Sequence, residues 1–362
     1  MALPRSATEC RSDCLEALSR RACCYRIPSV MKTRYFSSFD IEPAALLLRD
    51  SELVAFPTET VYGLGANALD PEAVKKIFEA KGRPSDNPLI VHISNFHQLE
   101  QIVREIPIVA VDLMERFWPG PLTIVFPKQP AVPPEVTAGL DTVAVRFPAH
   151  PIAVEIIRRA KVPLAAPSAN RSGRPSATTW EAVAEDLDGR IAGVVCSEPT
   201  MFGLESTVVD TTCNPPRVLR PGGVSLEQLT AVCRNLTPYS GHHSNATDCS
   251  ANSPGIRHKH YKPRAKVILM DVFTADSAKQ SFGLPSVLSE GSICHYIGLH
   301  PPRCSARYTR VLVCSDLPEY AAQLFDFFRK ADLSGADLVC CENVEEVGLG
   351  VALLDRIRRA SQ

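Results

Sequence analysis

The hydrophobic positions of this chain recur with helical spacing in some stretches and with strand-like spacing in others. One helical stretch begins after Asp70, which suits an N-cap, and ends at Gly82, which suits a left-handed C-cap. Between these ends, Val74, Ile77 and Phe78 recur at helical spacing and should face a core. The pattern therefore predicts an amphipathic helix that ends in a loop.

The segments around this helix alternate between the two kinds of spacing. Short strands or loops are predicted at 53–56 and 61–64, strands at 89–93, 122–126, 142–146, 163–166, 191–195 and 207–210, and helices at 94–106, 108–117, 151–160 and 225–233. The last of these helices opens with a capping box from Ser225 to Gln228. Strands interleaved with helices predict an α/β domain with a mixed twisted sheet at 39–235.

A polar stretch without periodicity separates this first domain from the rest of the chain. Its composition is that of a linker, which we assign to 236–265. Beyond it, strands are predicted at 267–270, 293–297, 310–314 and 336–340, and helices at 318–331 and up to residue 360. This alternation predicts a small Rossmann-like C-terminal α/β domain with a parallel sheet at 266–362.

Length and composition narrow the classes of protein that fit. The 362 residues leave room for two domains, and 45% apolar with 22% charged residues is ordinary for a globular fold. A formal net charge of −1 gives no sign of bulk binding to nucleic acid or to an anionic membrane. No apolar run approaches the roughly 20 residues needed to cross a bilayer. We therefore expect a cytoplasmic protein without membrane contact.

Thirteen cysteines are present, but none of them forms a C-x-x-C pair. The odd count and the chain length do not fit a disulfide-stapled secreted domain. We interpret the cysteines as free thiols, and we predict no metal site built on them.

Residues 1–38 are predicted to be a disordered or targeting leader. Within the first 35 residues, seven arginines and lysines stand against three acidic residues. Such a leader is typical of mitochondrial or plastid transit peptides, although three acids are more than these usually carry. Organelle import, a disordered tail, and upstream translation before a start at Met31 therefore all stay open.

Candidate chemistry begins in the loop after the helix that Asp70 opens. Lys81 and Arg83 bring two cations to this loop, where we expect both side chains at the loop edge. Two cations with exposed backbone amides suit a polyanion such as a nucleoside triphosphate. Basic residues at a helix C-terminus also complement the macrodipole, so the pair alone leaves both interpretations open. The chain has no Walker-type phosphate loop.

Five separated motifs resolve this ambiguity. In chain order they are F-P-T-E-T-V-Y-G-L-G with K-G-R-P-S-D-N-P-L-I-V-H-I (56–93), T-V-A-V-R-F-P (142–148), A-P-S-A-N-R-S-G-R-P-S (166–176), S-T-V-V-D (206–210) and V-L-R-P-G (218–222). In this order and spacing they resemble the YrdC-type threonylcarbamoyl-AMP synthases over roughly residues 40–235. The family's K-x-R pair is present as Lys81 and Arg83, and its S-x-N pair as Ser168 and Asn170.

Two later stretches resemble the long, two-domain form of this family. S-P-G-I-R-H-K-H-Y-K-P (253–263) is similar to the linker of that form, with Ile256 in place of the usual methionine. V-G-L-G-V-A-L-L-D-R-I-R-R-A (347–360) is similar to the end of its second domain. The resemblance therefore implies a YrdC-type domain followed by a linker and a small second domain.

The resemblance also implies a role for each matching residue. The residues implied around L-threonine are Thr60, His92, Arg146, Ala166 and Ser206. Those implied around ATP are Lys81, Arg83, Asn87, Thr142, Ser168, Asn170, Ser176 and Arg220, with Lys81 and Arg83 as catalytic cations. Arg146 is the natural partner of the threonine carboxylate. From the residues alone, His92 also suits a core histidine and Arg220 a turn anchor. Thr142 and Ser176 also suit caps or turns.

The family's reaction joins L-threonine, bicarbonate and ATP to give threonylcarbamoyl-AMP and pyrophosphate, a nucleotidyltransferase reaction. The threonine amine captures bicarbonate or carbon dioxide as a carbamate, whose oxygen attacks the α-phosphorus. Such catalysis needs positioning and charge stabilisation rather than an enzyme nucleophile. The resemblance further implies Mg²⁺ bound with ATP, contact with tRNA or double-stranded RNA, and a downstream transferase that modifies tRNA next to the anticodon.

His260 and Tyr261 belong to the linker motif, which we expect to fold over the first domain as a lid. A segment that only docks the second domain stays open as the alternative. An RNA-binding YrdC-type module without adenylate synthesis also stays open, although the near-zero net charge argues against it. A carbamoyltransferase of the hydrogenase-maturation type would carry C-x-x-C pairs, which this chain lacks. The intact K-x-R and S-x-N pairs argue against an inactive scaffold.

Overall fold

The computed structural model of the protein describes residues 32–239, 261–271, 291–302 and 305–362. The described helices are α1 (Glu42–Arg49), α2 (Pro71–Lys81), α3 (Phe96–Ile102), α4 (Ile108–Phe117), α5 (Pro134–Thr137), α6 (Pro151–Ala160), α7 (Trp180–Leu187), α8 (Leu226–Val232), α9 (Leu317–Leu333) and α10 (Leu349–Ala360). None of these helices is long and apolar enough to cross a membrane.

The described strands form two sheets. They are β1 (Arg34–Ser37), β2 (Val54–Phe56), β3 (Gly63–Asn67), β4 (Ile90–His92), β5 (Leu122–Pro127), β6 (Thr142–Arg146), β7 (Leu164–Ala165), β8 (Gly193–Cys196), β9 (Thr207–Asp210), β10 (Arg217–Arg220), β11 (Lys266–Met270), β12 (Cys294–Gly298), β13 (Arg310–Val313) and β14 (Leu338–Glu342).

The larger sheet has ten strands in the order β1-β8-β2-β3-β7-β4-β6-β5-β9-β10. Some neighbours are parallel, such as β4 with β6, and others are antiparallel, such as β5 with β6. The smaller sheet has the order β11-β14-β12-β13, and all of its pairs are parallel. The predicted mixed sheet and the predicted small parallel domain are therefore both confirmed.

The sheet of the first domain begins earlier than the sequence pattern indicated. Strand β1 pairs in parallel with β8, so Arg34–Ser37 belong to the fold and not to the leader that we predicted at 1–38. We assigned these residues to the leader because of its basic composition, but they form a short strand in which Phe36 is the buried side chain. Residues 1–31 of the predicted leader lie outside the described residues. The other domain boundaries stay predictions.

Helix ends follow the capping signals of the sequence. The side chain of Asp70 accepts a hydrogen bond from the Glu72 amide, and Gly82 has a φ of +61° at the other end of α2. The capping box between Ser225 and Gln228 is formed at the start of α8. These local interactions set where α2 ends, and therefore where the K-x-R loop begins.

The second domain packs directly against the first. One hydrophobic cluster joins Val61 and Leu204 of the first domain to Tyr261 and the core of the second domain. Gly203 has a φ of +67°, and a Cβ atom there would lie 2.4 Å from the Cα atom of Ala322 in α9. Only glycine permits both this backbone conformation and this close approach. The second domain therefore borders the segment that leads into β9.

Candidate active site

A pocket lies where several loops of the first domain converge. It is formed by the β2–β3 loop, the segment from Arg83 into β4, the segment after β7, the residues before β9, the end of β10, and Tyr261. The sequence-predicted site residues that line it are Thr60, Arg83, His92, Arg146, Ala166, Ser168, Asn170, Ser176, Ser206, Arg220 and Tyr261. Residues implied around threonine and residues implied around ATP thus share one pocket.

Arg146, the last residue of β6, is held by a set of buried contacts. Its Nη1 atom donates to Thr60 Oγ1 at 2.8 Å, and its Nε atom donates to the Gly120 carbonyl at 3.2 Å. Its Nη2 atom lies 2.7 Å from Glu59 Oε1 in an ion pair. Although burial opposes it, Arg146 holds the pKa of Glu59 below its usual value. The guanidinium is therefore fixed in orientation at one end of the pocket.

His92 lies beside this arginine and is buried as well. Burial, reinforced by the charge of Arg146, lowers the pKa of His92 to about 3. The imidazole is therefore neutral at neutral pH, and it offers one donor and one acceptor. Its Nδ1 atom has no hydrogen-bond partner among the residues that the structure describes. His92 is thus a buried histidine, as one interpretation of the sequence had it, and also part of the pocket wall.

The two cations of the K-x-R pair have different surroundings in the structure: Arg83 lines the pocket, and Lys81 does not. We expected Lys81 at the edge of a loop, but it is the last residue of α2 and only 3% of it is exposed. Its Nζ atom donates to the carbonyls of Ser168 and Asn170, both at 2.5 Å. Burial, with the like charge of Arg83, holds its pKa well below the usual value. Lys81 is therefore bound beneath the S-x-N loop and does not line the pocket, because α2 continues through this position.

Arg83 remains at the pocket wall and is half-buried. Its Nη2 atom donates to the carbonyls of Asn87 and Pro88, at 3.3 and 3.0 Å. Desolvation, with the like charge of Arg220 as a smaller cause, lowers its pKa to about 10. The guanidinium therefore stays charged at neutral pH and faces the space where an anion would bind.

The S-x-N loop is internally bonded. Ser168 Oγ donates to Asn170 Oδ1 at 2.6 Å, and the Asn170 amide donates to the carbonyls of Arg171 and Arg174, at 2.8 and 2.9 Å. Further along, Ser176 Oγ donates to Glu205 Oε1 at 2.6 Å. The loop therefore presents its polar groups to the pocket from a fixed backbone.

Arg220 ties the end of β10 to the residue before β9. Its Nη2 atom donates to the carbonyl of Ser206 at 2.9 Å and to its Oγ atom at 3.2 Å. The Ser206 hydroxyl also lies 2.7 Å from the Thr123 hydroxyl. Since Arg220 is buried, its pKa is lowered mainly by desolvation. Arg220 thus anchors a turn, which was one of the two interpretations from the sequence, and it also lines the pocket.

Tyr261 closes one side of the pocket and is buried. Its ring stacks on Phe325 with 5.1 Å between centroids, and the Arg356 guanidinium lies 5.4 Å from its centroid. The linker motif therefore reaches both the pocket and the second domain at this residue. His260, the other predicted lid residue, lies outside the described residues.

Comparisons with known proteins show the family and the fold of this chain. A model of Sua5, YciO and YrdC proteins, described as "Telomere recombination", matches residues 46–222. A second model, "Threonylcarbamoyl-AMP synthase, C-terminal domain", matches residues 224–362. A threonylcarbamoyl-AMP synthase of Pyrococcus abyssi is 47% identical over 89% of this chain and 94% of its own length. One of Bacillus subtilis is 43% identical over 89% of this chain and 92% of its own length.

A solved structure, the P. abyssi Sua5 protein complexed with L-threonine, is similar to this fold. The two share 44% sequence identity with a TM-score of 0.83, over 91% of this chain and 97% of the other.

The chain belongs to the threonylcarbamoyl-AMP synthase family.

Membership in this family confirms the two-domain form and the nucleotidyltransferase class predicted from the sequence. The roles of individual residues stay predictions. Besides Lys81, two residues implied around ATP are not brought to the pocket wall. Thr142 opens β6, whose other end carries Arg146, so the two Cα atoms are about 13 Å apart at the usual rise of a strand. Asn87 is buried, and its carbonyl accepts from Arg83.

Sequence reasoning missed several residues of the pocket, above all Glu205 and Arg174. Glu205 is the only carboxylate among the described residues that line it. Burial alone would raise the pKa of Glu205, but Arg356 and Arg220 hold it below its usual value. A usable signal existed, because Glu205 directly precedes S-T-V-V-D and Arg174 lies inside the 166–176 motif.

Proposed function

We propose that this protein condenses L-threonine, bicarbonate and ATP to threonylcarbamoyl-AMP, with release of pyrophosphate. The observation that carries the proposal is the charge of the pocket. Four arginines, Arg83, Arg146, Arg174 and Arg220, line it, against the single carboxylate of Glu205 among the described lining residues. Such an excess of guanidinium groups suits a triphosphate together with an amino-acid carboxylate.

Threonine binds at the Arg146 end of the pocket in this proposal. The planar guanidinium of Arg146 binds the threonine carboxylate. Glu59 and the Gly120 carbonyl keep this guanidinium oriented. A neutral His92 offers hydrogen bonds to the threonine hydroxyl or amine without adding charge. The amine reacts in its unprotonated form with the carbon of bicarbonate or carbon dioxide to give a carbamate, and with bicarbonate the by-product is water.

ATP occupies the remainder of the pocket, between Arg83, the S-x-N loop and Arg220. The carbamate oxygen attacks the α-phosphorus, the new P–O bond forms, and the bond to pyrophosphate breaks. Arg83 and Arg220 stabilise charge that builds on the phosphate oxygens and on the departing pyrophosphate. Lys81 contributes indirectly, because it fixes the Ser168 and Asn170 carbonyls and with them the loop.

The protein's own side chains do not fit a resident Mg²⁺ ion at the pocket. Among the described residues, no group of three histidine, cysteine, aspartate or glutamate side chains could hold a metal. Both oxygens of Glu205 already accept hydrogen bonds, one from Ser176 and one from Arg356. An Mg²⁺ ion in this reaction would therefore be held by the phosphates of ATP.

The product is a mixed anhydride, so a downstream transferase must take up its threonylcarbamoyl group before water does. We propose tRNA next to the anticodon as the final acceptor, in line with the family. Contact of this chain with tRNA or other double-stranded RNA, and import into an organelle, remain separate predictions.

The experiment is a reconstitution with purified protein, ATP, L-threonine and labelled bicarbonate. We expect pyrophosphate release that needs threonine and bicarbonate together, and a labelled adenylate by thin-layer chromatography. Arg83→Ala, at the pocket wall, should abolish most of the release and serves as the negative control. Equal ATP turnover with and without threonine would contradict the proposal, and so would strong salt-dependent RNA binding without turnover.

A further inference from the structure

Two arginines of the second domain hold the surroundings of Ser176 in the first domain, one through Glu205 and one through the Pro175 carbonyl. Arg356, on α10, is fully buried, and its Nε atom donates to Glu205 Oε2 at 2.8 Å. Glu205 accepts the Ser176 hydroxyl through its other oxygen at 2.6 Å. Arg329, on α9, donates through Nη2 to the Pro175 carbonyl at 2.6 Å. The backbone before Ser176 and the side chain of Ser176 are thus both held from the second domain.

Arg356 also contacts other parts of the pocket wall. Its Nη2 atom donates to the Pro221 carbonyl at 2.9 Å, and Pro221 directly follows Arg220. Its guanidinium faces the ring of Tyr261. One side chain therefore bridges the Glu205 segment, the end of β10 and the linker, although Arg356 does not line the pocket.

Carboxylates around Arg356 and Arg329 restrict the positions that the two guanidinium groups can take. Asp355 accepts a hydrogen bond from Arg356 Nη1 at 2.5 Å, and Asp186 accepts one from Arg329 Nη2 at 2.8 Å. Asp186 also pairs with Arg174, a residue of the pocket wall. Buried guanidinium groups with several charged and carbonyl partners have few alternative positions. The network is therefore rigid where it meets the pocket.

We propose that Arg356, assisted by Arg329, is a positioning residue by which the second domain sets the geometry of the ATP side of the pocket. The inference rests on the proposed function, since it takes the wall formed by Ser176 and Arg220 to be the ATP side. The second domain then acts on nucleotide binding without touching the nucleotide. A displacement of a binding group by about 1 Å costs about a hundredfold in rate, so loss of this support has a measurable effect.

The first test measures ATP binding by calorimetry and the KM values of ATP and threonine for three variants. Arg356→Met removes the guanidinium. Arg356→Lys keeps a charge near Glu205 but cannot also donate to the Pro221 carbonyl. Arg358→Met is the matched control, because Arg358 lies on the same helix, is exposed, and pairs with Glu346. We expect Arg356→Met to raise the Kd and KM of ATP about ten- to a hundredfold, with threonine KM changed much less. The ATP Kd and KM of Arg356→Lys should lie between those of the wild type and those of Arg356→Met. Arg358→Met should have the wild-type values.

The second test guards against misfolding, because Arg356→Met leaves Glu205 buried without its ion-pair partner. The double variant Arg356→Met with Glu205→Gln removes both charges and should fold. If the two residues act as one unit, its ATP Kd should equal that of Glu205→Gln alone, so the two effects are not additive. Wild-type ATP Kd in Arg356→Met or in the double variant would overturn the inference, and so would an equal rise of both KM values. A wild-type protein without threonine-dependent pyrophosphate release would instead contradict the proposed function.

Discussion

Replacing Lys81 with methionine separates the structural contribution of this lysine from the chemistry of the pocket. Lys81→Met keeps a long apolar side chain but removes the ammonium group. In the structure, that ammonium is buried and donates to the carbonyls of Ser168 and Asn170. The variant therefore leaves two carbonyls inside the protein without this donor.

The size of the effect follows from these two hydrogen bonds. A buried acceptor that loses its donor costs about 1–3 kcal/mol, so two cost about 2–6 kcal/mol. Part of this is offset, because the variant no longer buries an ammonium whose pKa desolvation already depresses. We therefore expect the free energy of unfolding to fall by about 2–4 kcal/mol. Pyrophosphate release should fall as well, because the S-x-N loop loses its support.

Arg83→Met is the matched control, two positions further along the chain. Arg83 is half-buried at the pocket wall, and its hydrogen bonds to the carbonyls of the buried residues Asn87 and Pro88 are only partly buried. Its removal should lower the free energy of unfolding by about 1–2 kcal/mol, less than Lys81→Met does, because the Arg83 side chain is only half-buried. Its loss should still weaken catalysis by about 2–4 kcal/mol, the scale of one preorganised charge-stabilising group.

The assay is urea denaturation followed by tryptophan fluorescence, alongside pyrophosphate release. Trp118 and Trp180 are the two tryptophans of the chain, and both lie in the first domain, so the signal reports that domain. A Lys81→Met variant with wild-type stability would refute the assignment of Lys81 as a buried tether. An Arg83→Met variant as unstable as Lys81→Met would equally refute the assignment of a structural role to Lys81 and a chemical role to Arg83.

Three further predictions follow from the pocket and the domain contact. Arg146→Lys should raise the KM of threonine with ATP KM nearly unchanged, because lysine lacks the planar fork; an ATP defect instead would assign Arg146 to the wrong ligand. The pKa of His92 is about 3 when folded and near 6.5 when unfolded, so the unfolded state binds the extra proton and wild-type stability falls as pH falls between these values. His92→Asn should remove about 1.4 kcal/mol per pH unit of that slope, and an unchanged slope between pH 6.5 and 5 would contradict the assignment. Deleting 253–362 should lower both the free energy of unfolding and the affinity for ATP, because Val61 and Leu204 would lose the hydrophobic side chains of the second domain that pack on them. A truncated protein that binds ATP as tightly as the full chain would contradict this.

Local patterns predicted the elements whose ends and faces depend on nearby residues. The caps at Asp70 and Gly82 and the capping box at Ser225 were sufficient to place α2 and α8, because a cap is formed by residues within one helical turn. The motifs of the first domain also identified most of the residues that line the pocket. Helices α1, α5 and α7 and strands β1 and β10 were not predicted. For α7 a signal existed, since Thr179 caps it.

The tertiary structure alone decided how these residues divide between structure and chemistry. Lys81 and Arg83 look alike in sequence, but α2 turns Lys81 under a loop that lies 87 residues away along the chain. Glu205 and Arg356 are 151 residues apart, and no periodicity or motif relates them. Capping and amphipathic spacing are read within a few residues, whereas a buried ion pair depends on how whole elements pack. The sequence by itself therefore determined the family, the fold and most of the pocket. The packing of the second domain determined what supports the pocket.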